Sequence, residues 1–200
     1  MNGSYTPVVD VPKGYFRFIA LDVETSCGDS ASICQIGIAC VGEDNHILTF
    51  ATYINPEMPF EPFNIQLHGI DEEVVSDAPT FAEFWHQLLP LLETNYLVQH
   101  SNFDKTAIEA ACKAARLRSP DLNWSNSISI AKTAWPEFKA NGGYGLARLK
   151  NELELEFNHH DAGEDARAAA LVVLHAEKRM KKTFEKFVGA PRQIQLALPL

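Results

Sequence analysis

The hydrophobic positions of this chain change their period along its length, from strand-like in the first quarter to helical later. Three runs of apolar, β-favouring residues predict strands, which cover residues 15–25, 32–41 and 46–54. The polar stretch 42–45 predicts a hairpin turn between the second and third strands. Pro56, Pro59 and Pro62 follow, and they predict an extended loop.

The rest of the chain is predicted to be mainly helical. Residues 80–93 place apolar side chains three or four positions apart, which is the spacing of an amphipathic helix. The elements predicted after it are a buried strand at 96–100 and helices at 103–117, 126–135, 144–154 and 162–180. Strands that later alternate with helices indicate an α/β domain, a mixed sheet covered by helices. We expect this domain over 15–183, between an N-terminal extension (1–14) and a C-terminal tail (184–200).

Composition fits one globular domain of 200 residues, 46% of them hydrophobic. No apolar run approaches the roughly 20 residues of a membrane-spanning helix, and the N-terminus lacks the pattern of a secretion signal, so a cytoplasmic protein is expected. The net charge of −9 argues against a broad surface that coats nucleic acid, but it allows an enzyme that grips a few nucleotides. The four cysteines lack zinc-site spacing and are expected to be reduced and mostly buried.

Acidic residues stand where predicted elements begin or end. Asp22 and Glu24 lie two apart at the end of the first strand, so both side chains project from one face. Neighbouring carboxylates repel each other unless a cation lies between them, and oxygen ligands suit Mg²⁺ or Mn²⁺. Asp104 stands where a buried strand leads into a helix. Taken singly, these acids also fit plainer roles, as solvated charges at a strand end and as a carboxylate that favours the helix dipole.

A third group of polar residues surrounds the start of the last predicted helix. His160 lies just before this helix and Asp165 in its second turn, so the histidine can reach over a metal ion held by the carboxylate. Asp161 and Glu164 have capping-box spacing and are assigned to the helix cap. His159 is assigned to the surface, although it could exchange roles with His160.

Five segments, in this order and spacing, resemble the DEDDh branch of the DnaQ-like 3′–5′ exonucleases, the family of the proofreading subunit of bacterial replicative polymerase. The segments are FIALDVET, SICQIG, NPEMPFEPFNIQLHGI, LVQHSNFD and HHDAGEDA. The resemblance covers residues from about 15 to 180. It implies an RNase H-like mixed β-sheet flanked by α-helices, and a two-metal-ion exonuclease that releases nucleoside monophosphates from single-stranded DNA 3′ ends.

The resemblance also implies roles for single residues. The implied metal ligands, which are also catalytic, are Asp22, Glu24, Asp104 and Asp165. They would bind two Mg²⁺ ions, with Mn²⁺ as a substitute, and His160 would be the general base. The terminal nucleotide is expected near Thr25. The candidates for stacking against the last bases are Phe63, Leu67 and Phe103, although plain packing is an equal alternative for the first two. His68 is expected to support its loop ahead of contacting substrate.

Two departures from the family pattern concern the surroundings of this site. Many relatives have Thr-Thr-Gly after the D-x-E pair, where this chain has the sequence TSCG at 25–28, so contacts to the terminal sugar are expected to differ. Many relatives also carry an aspartate before the final motif, where this chain has Asn126. That position is not a metal ligand in the family pattern, so the change is expected to affect packing.

The C-terminal sequence QIQLALPL resembles the short peptides by which bacterial proteins dock on the sliding clamp. The implied clamp-binding residues are Gln195, Leu196, Leu198 and Leu200, of which the leucines would fill an apolar pocket. The alternative is an apolar tail that folds back onto the domain or onto a dimer partner.

Three other functions stay open beside the single-strand DNA exonuclease. The nearest is an exoribonuclease that trims RNA ends or oligoribonucleotides. A catalytically inactive nucleic-acid-binding module is less favoured, because all five implied site residues are present. A metal-dependent phosphomonoesterase would need a D-x-D pair, whereas this chain has D-x-E at Asp22 and Glu24.

Overall fold

The structure is a computed structural model that describes residues 10–140, 142–156 and 159–189, and its centre is a mixed β-sheet. The strands of this described part are β1 (Phe18–Thr25), β2 (Ile33–Val41), β3 (Ile47–Tyr53), β4 (Leu97–Gln99) and β5 (Trp124–Asn126). They lie in the spatial order β3-β2-β1-β4-β5. β2 pairs antiparallel with both β1 and β3, whereas β4 pairs parallel with both β1 and β5. The predicted fold class is therefore confirmed.

Helices cover both faces of the sheet. They are α1 (Pro62–His68), α2 (Phe81–Glu93), α3 (Phe103–Ala114), α4 (Ser127–Ala134), α5 (Leu146–Glu152), α6 (Ala162–Met180) and α7 (Phe184–Val188), with a 3₁₀ helix at Pro136–Ala140. Alternate residues of β1 serve the two faces, as the period of a strand requires. Phe18 and Ala20 pack in the core formed with α4, α5, α6 and α7, whereas Ile19 and Leu21 pack in the core formed with α2 and α3.

The first turn of α6 lies directly on β2, at Gly37. A Cβ atom at this position would lie 2.1 Å from the carbonyl carbon and oxygen of Ala162, and 2.3 Å from the nitrogen of Gly163. Any side chain at residue 37 would therefore collide with the backbone of α6, so the close approach requires glycine. This packing brings the start of the helix next to the middle of the sheet.

Among the short elements that differ from the prediction are α1 and β5. Where an extended loop was predicted, Pro62 begins α1, because the fixed φ of proline and its missing N–H suit the first helical position. β5 lies within sequence predicted as a connection, and its three residues pair with β4. The predicted hairpin turn is confirmed by a hydrogen bond from the Gly42 N–H to the His46 carbonyl, 2.9 Å long.

Packing extends past both predicted ends of the domain. Val11, within the predicted extension, is buried against the core formed with α2 and α3. Phe184, placed at the start of the predicted tail, is fully buried, and its ring centroid lies 4.6 Å from that of Phe18 and 5.7 Å from that of Tyr96. The folded part of the chain thus includes α7.

The cysteines agree with the prediction. All four are free thiols, and Cys34, Cys40 and Cys112 are buried. In the part of the chain that the structure describes, no helix has the length and apolar character to cross a bilayer.

Candidate active site

Asp22 and Glu24 lie side by side near the end of β1, on the face that α6 covers. They continue the alternation of Phe18 and Ala20 on that face. Across the sheet, Asp22 is opposite Gly37 and Glu24 is opposite Gln35 of β2. Glu24 is buried and Asp22 is partly buried. Because Gly37 has no side chain, the two carboxylates lie next to the first turns of α6.

Asp165 brings a third carboxylate to this point from α6. One carboxylate oxygen from each of Asp22, Glu24 and Asp165 lies within 4.8 Å of the other two. Asp165 is only 4% exposed. The predicted cap of the same helix forms at Asp161, whose Oδ1 accepts a hydrogen bond from the Glu164 N–H (3.0 Å), whereas the Glu164 side chain pairs with Arg167.

Asp104 joins the cluster from the first turn of α3, and it is not a solvated cap. Its side chain is buried, and its Oδ1 accepts a hydrogen bond from the Val23 N–H (3.2 Å). The pairing of β4 with β1 reaches only Ala20, so this N–H lies beyond the ladder and the carboxylate is its acceptor. The structure therefore brings together all four predicted carboxylates, which are separated by up to 143 residues of sequence (Asp22 to Asp165).

Burial and mutual repulsion raise the pKa values of these acids. Burial raises the pKa of Glu24 to about 8, and the charges of Asp165 and Asp104 add to the effect. Burial raises the pKa of Asp104 to about 7, although the hydrogen bond from Val23 opposes this. The pKa of Asp22 is also raised well above its ordinary value, by burial and then by the Asp104 and Asp165 charges. A divalent cation would relieve this repulsion, and an all-oxygen donor set suits Mg²⁺ or Mn²⁺.

The two histidines before α6 differ in part from the prediction. The backbone N–H of His160 donates a hydrogen bond to the Asp165 Oδ2 (2.9 Å), and His160 has a φ of 70°, in the left-handed region. His159, assigned to the surface from the sequence, places its Nδ1 2.9 and 3.0 Å from the two oxygens of Asp165. The two imidazole rings stack, with centroids 4.0 Å apart. His159 is exposed, as assigned from the sequence, but its ring also contacts Asp165, which the sequence did not predict.

The end of β1 is tied to α1 through the carbonyl of Thr25. This oxygen accepts hydrogen bonds from the Asn64 Nδ2 (2.8 Å) and the His68 Nε2 (3.1 Å). The Ile70 N–H donates to the His68 Nδ1 (3.0 Å), so the neutral ring carries its proton on Nε2. Both hydrogen bonds of His68 join its ring to backbone atoms, as expected for a side chain that supports its loop. Asn64 was not identified from the sequence, where an exposed-looking asparagine carries no signal of its partner.

The three candidate side chains for stacking against bases are all exposed. Phe63 is 71% exposed, Leu67 40% and Phe103 44%. Phe63 and Leu67 belong to α1, and none of the residues of this helix is buried. Neither side chain therefore packs in the core. Phe103 immediately precedes Asp104 at the start of α3.

Two further sequence-based expectations concern residues away from the carboxylates. Asn126 is the N-cap of α4, where its Oδ1 accepts a hydrogen bond from the Ile128 N–H (2.8 Å), and its Nδ2 donates to the Asn102 Oδ1 (3.3 Å). The family departure at this position thus falls on a helix cap. The candidate clamp-binding residues Gln195, Leu196, Leu198 and Leu200 lie outside the described residues.

Known proteins are similar to this chain over a region that includes the whole candidate site. The RNase T-type exonuclease family model matches residues 19–173, a range that includes the four carboxylates and His160. The chain is 28% identical over 177 residues to a PolC-type DNA polymerase III of Caldanaerobacter subterraneus. This match covers 86% of this chain and 12% of that protein. It is 28% identical over 172 residues to the 3′-5′ exonuclease DinG of Bacillus subtilis, and this match covers 83% of this chain and 18% of that protein. The chain thus spans less than a fifth of the length of these relatives.

Solved structures share the fold. The nuclease domain of 3′hExo, a DEDDh family member bound to rAMP, superimposes with a TM-score of 0.68 at 18% identity, covering 80% of this chain and 91% of that one. Exonuclease X in complex with 5′ overhanging duplex DNA superimposes with a TM-score of 0.64 at 21% identity, covering 86% and 99%.

Proposed function

The chain belongs to the DEDDh-type exonuclease family, and we propose that it is a divalent-metal-dependent 3′–5′ exonuclease that releases nucleoside monophosphates from single-stranded DNA ends. Membership follows from the family model, which matches well over half of the chain and confirms the resemblance predicted from the motifs. The observation that carries the proposal is the meeting of Asp22, Glu24 and Asp165 oxygens within 4.8 Å, with Asp104 buried beside them.

In this proposal the four carboxylates hold two divalent cations. Such a pair, when bound, favours ionisation of the attacking water and stabilises the departing oxygen of the phosphodiester. The raised pKa values of Glu24 and Asp104 support the assignment, because they mark a place where several negative charges are held together at a cost. Mg²⁺ is the expected ion, and Mn²⁺ the expected substitute.

His160 is proposed as the general base. Burial, followed by the charge of His159, lowers its pKa below the ordinary value, so its ring is neutral at cellular pH and can accept a proton from the attacking water. His160 reaches Asp165 through its backbone N–H, whereas the Nδ1 of His159 already contacts that carboxylate. The ring of His160 is therefore the better candidate for proton acceptor.

The terminal bases are proposed to contact Phe63, Leu67 and Phe103, with the last sugar near Thr25. Exposed aromatic and apolar side chains stack against successive bases without reading their sequence. The bound DNA of exonuclease X and the name of the PolC-type polymerase support DNA as substrate. The rAMP bound to 3′hExo supports the second candidate, an exoribonuclease with the same site.

The decisive experiment follows mononucleotide release from single-stranded DNA and RNA oligomers of equal sequence. Strands labelled at the 5′ end, with free or blocked 3′ ends, are incubated with Mg²⁺ and wild-type protein or Asp22→Asn. We expect a ladder of products from free 3′ ends with wild type alone, and faster digestion of DNA. Wild-type protein that releases no mononucleotide with Mg²⁺ or Mn²⁺ would contradict the proposal, and binding without release would favour the inactive module.

A sliding clamp is proposed as a partner through Gln195, Leu196, Leu198 and Leu200. The support is the sequence QIQLALPL alone. A chain that lacks residues 195–200 should lose binding to an immobilised bacterial clamp, and equal binding by the full and shortened chains would remove the proposal.

A further inference from the structure

We propose that Gln35 is a positioning residue for Asp165 and His160, because its side-chain amide fixes the first turn of α6 in one orientation. The inference rests on the proposed function, since it gives Gln35 a part in assembling the same site. Gln35 lies in β2 directly opposite Glu24, and it is 5% exposed.

Both ends of the Gln35 amide contact the start of α6. Its Oε1 accepts a hydrogen bond from the Ala162 N–H (3.0 Å), and its Nε2 donates one to the Asp161 Oδ2 (3.2 Å). The other oxygen of Asp161 accepts the Glu164 N–H that caps the helix. The polarity of this chain of bonds is fixed, because the backbone N–H can only donate and an ionised carboxylate can only accept.

This contact lies between the two groups that it positions. Ala162 is two residues after His160 and three residues before Asp165. Gly37 allows the helix to approach the sheet closely, but this close contact alone does not fix the rotation of α6 or its position along β2. The buried face of α6 is rich in alanine, and small side chains specify such a register weakly. The directional hydrogen bonds of Gln35 supply the missing constraint.

A reciprocal exchange of amide and carboxylate tests this role. Gln35→Glu removes the donor and sets a carboxylate against that of Asp161. Asp161→Asn sets an NH₂ group against that of Gln35, if its oxygen continues to accept the Glu164 N–H. In the double variant, the new carboxylate can accept from both the Ala162 N–H and the new amide, so the network is restored with the opposite polarity and the same net charge.

The four proteins are compared in kcat and KM on a single-stranded DNA oligomer with Mg²⁺, and in thermal unfolding without metal. A 1 Å misplacement of a reacting group costs about 10²-fold in rate, so we expect each single variant to lose about 10²-fold in kcat. KM should change far less, since the nucleic acid contacts are elsewhere. The double variant should recover most of the lost kcat, and its unfolding temperature should lie above that of both single variants.

A Gln35→Glu protein with wild-type kcat overturns the inference, as does a double variant that stays as slow as the slower single variant. A loss of kcat that merely follows the unfolded fraction at the assay temperature also overturns it. If wild-type protein releases no nucleotide, the proposed function fails instead. The unfolding temperatures then decide whether Gln35 fixes α6, and additive effects of the two substitutions would contradict it.

Discussion

The contact between Gly37 and α6 makes the most specific prediction, because the substitution Gly37→Ala adds one methyl group at a known collision. The new Cβ would lie 2.1 Å from the carbonyl of Ala162, and backbone atoms cannot rotate away as a flexible side chain can. Ordinary carbon contacts are about 3.5–4.0 Å, so the start of α6 has to withdraw by more than 1 Å. Asp165 moves with the helix and leaves its place beside Asp22 and Glu24.

Two measurements follow from this displacement. Overpacking of this kind costs about 1–3 kcal/mol, which lowers the unfolding temperature of a chain of this size by roughly 2–12 °C. Turnover with Mg²⁺ should fall by about 10²-fold at a temperature where the variant is folded.

Gly145→Ala is the matched control for this variant. Its added Cβ meets nothing within 4 Å, and the φ of residue 145 is −62°, which alanine adopts readily. We expect a net loss of only a few tenths of a kcal/mol and unchanged turnover, because the preference of an N-cap for glycine over alanine is largely offset by the lower entropy of the unfolded alanine variant. A Gly37→Ala protein with the unfolding temperature and turnover of wild type would refute the reasoning.

Four further predictions concern charge, proton transfer, packing and substrate contact. Without metal, raising the pH from 5 to 7.5 should lower the free energy of unfolding, with on the order of 3 kcal/mol of the loss from Glu24, because burial raises the pKa of Glu24 to about 8 and an acid with a raised pKa stabilises the fold only while protonated; Asp104, whose pKa burial raises to about 7, adds to the loss. Denaturant titrations should show this loss shrinking in Glu24→Gln, and Mg²⁺ should raise the unfolding temperature more at pH 7.5 than at pH 5; equal pH dependence in both proteins would contradict the assignment. His160→Ala should lower turnover by about 10²–10⁴-fold while Mg²⁺ still raises the unfolding temperature; a greater loss in His159→Ala would transfer the base role. Phe184→Ala should cost about 3–5 kcal/mol in unfolding free energy, because the ring is fully buried. Phe63→Ala, at an exposed position, should keep the stability of wild type and raise KM for the oligomer, and an unchanged KM would remove Phe63 from the substrate site.

The longer elements were predictable from the sequence, because each carries a continuous apolar or periodic pattern. Helix α6 is observed at Ala162–Met180, as its alanine-rich periodicity predicted, and β1, β2 and β3 lie within a few residues of their predicted ranges. The short elements β5 and α1 were not predicted, because their stability comes from distant partners. β5 exists through its pairing with β4, and α1 is held by hydrogen bonds to Thr25, neither of which leaves a local pattern.

The candidate site was predictable only as a combination. Asp22, Asp104 and Asp165 come from separate elements, and each alone fits an ordinary surface or capping role. The ordered motifs of the family related them, and the structure brings them together. The same motifs could not separate the environments of His159 and His160, because consecutive residues differ in environment only once the backbone between them is known. The φ of 70° at His160 is such a local detail.

The shallow attachment of α1 has a consequence for how such enzymes diverge. The helix buries none of its residues, and side chains from it hold the Thr25 carbonyl by two hydrogen bonds. Substitutions at its outward positions therefore cost little folding free energy. The acids of the cluster are buried and mutually constrained, so they tolerate almost no change. Under the proposed function, the preferred nucleic acid can therefore change through substitutions at Phe63 and Leu67 while the four carboxylates stay the same.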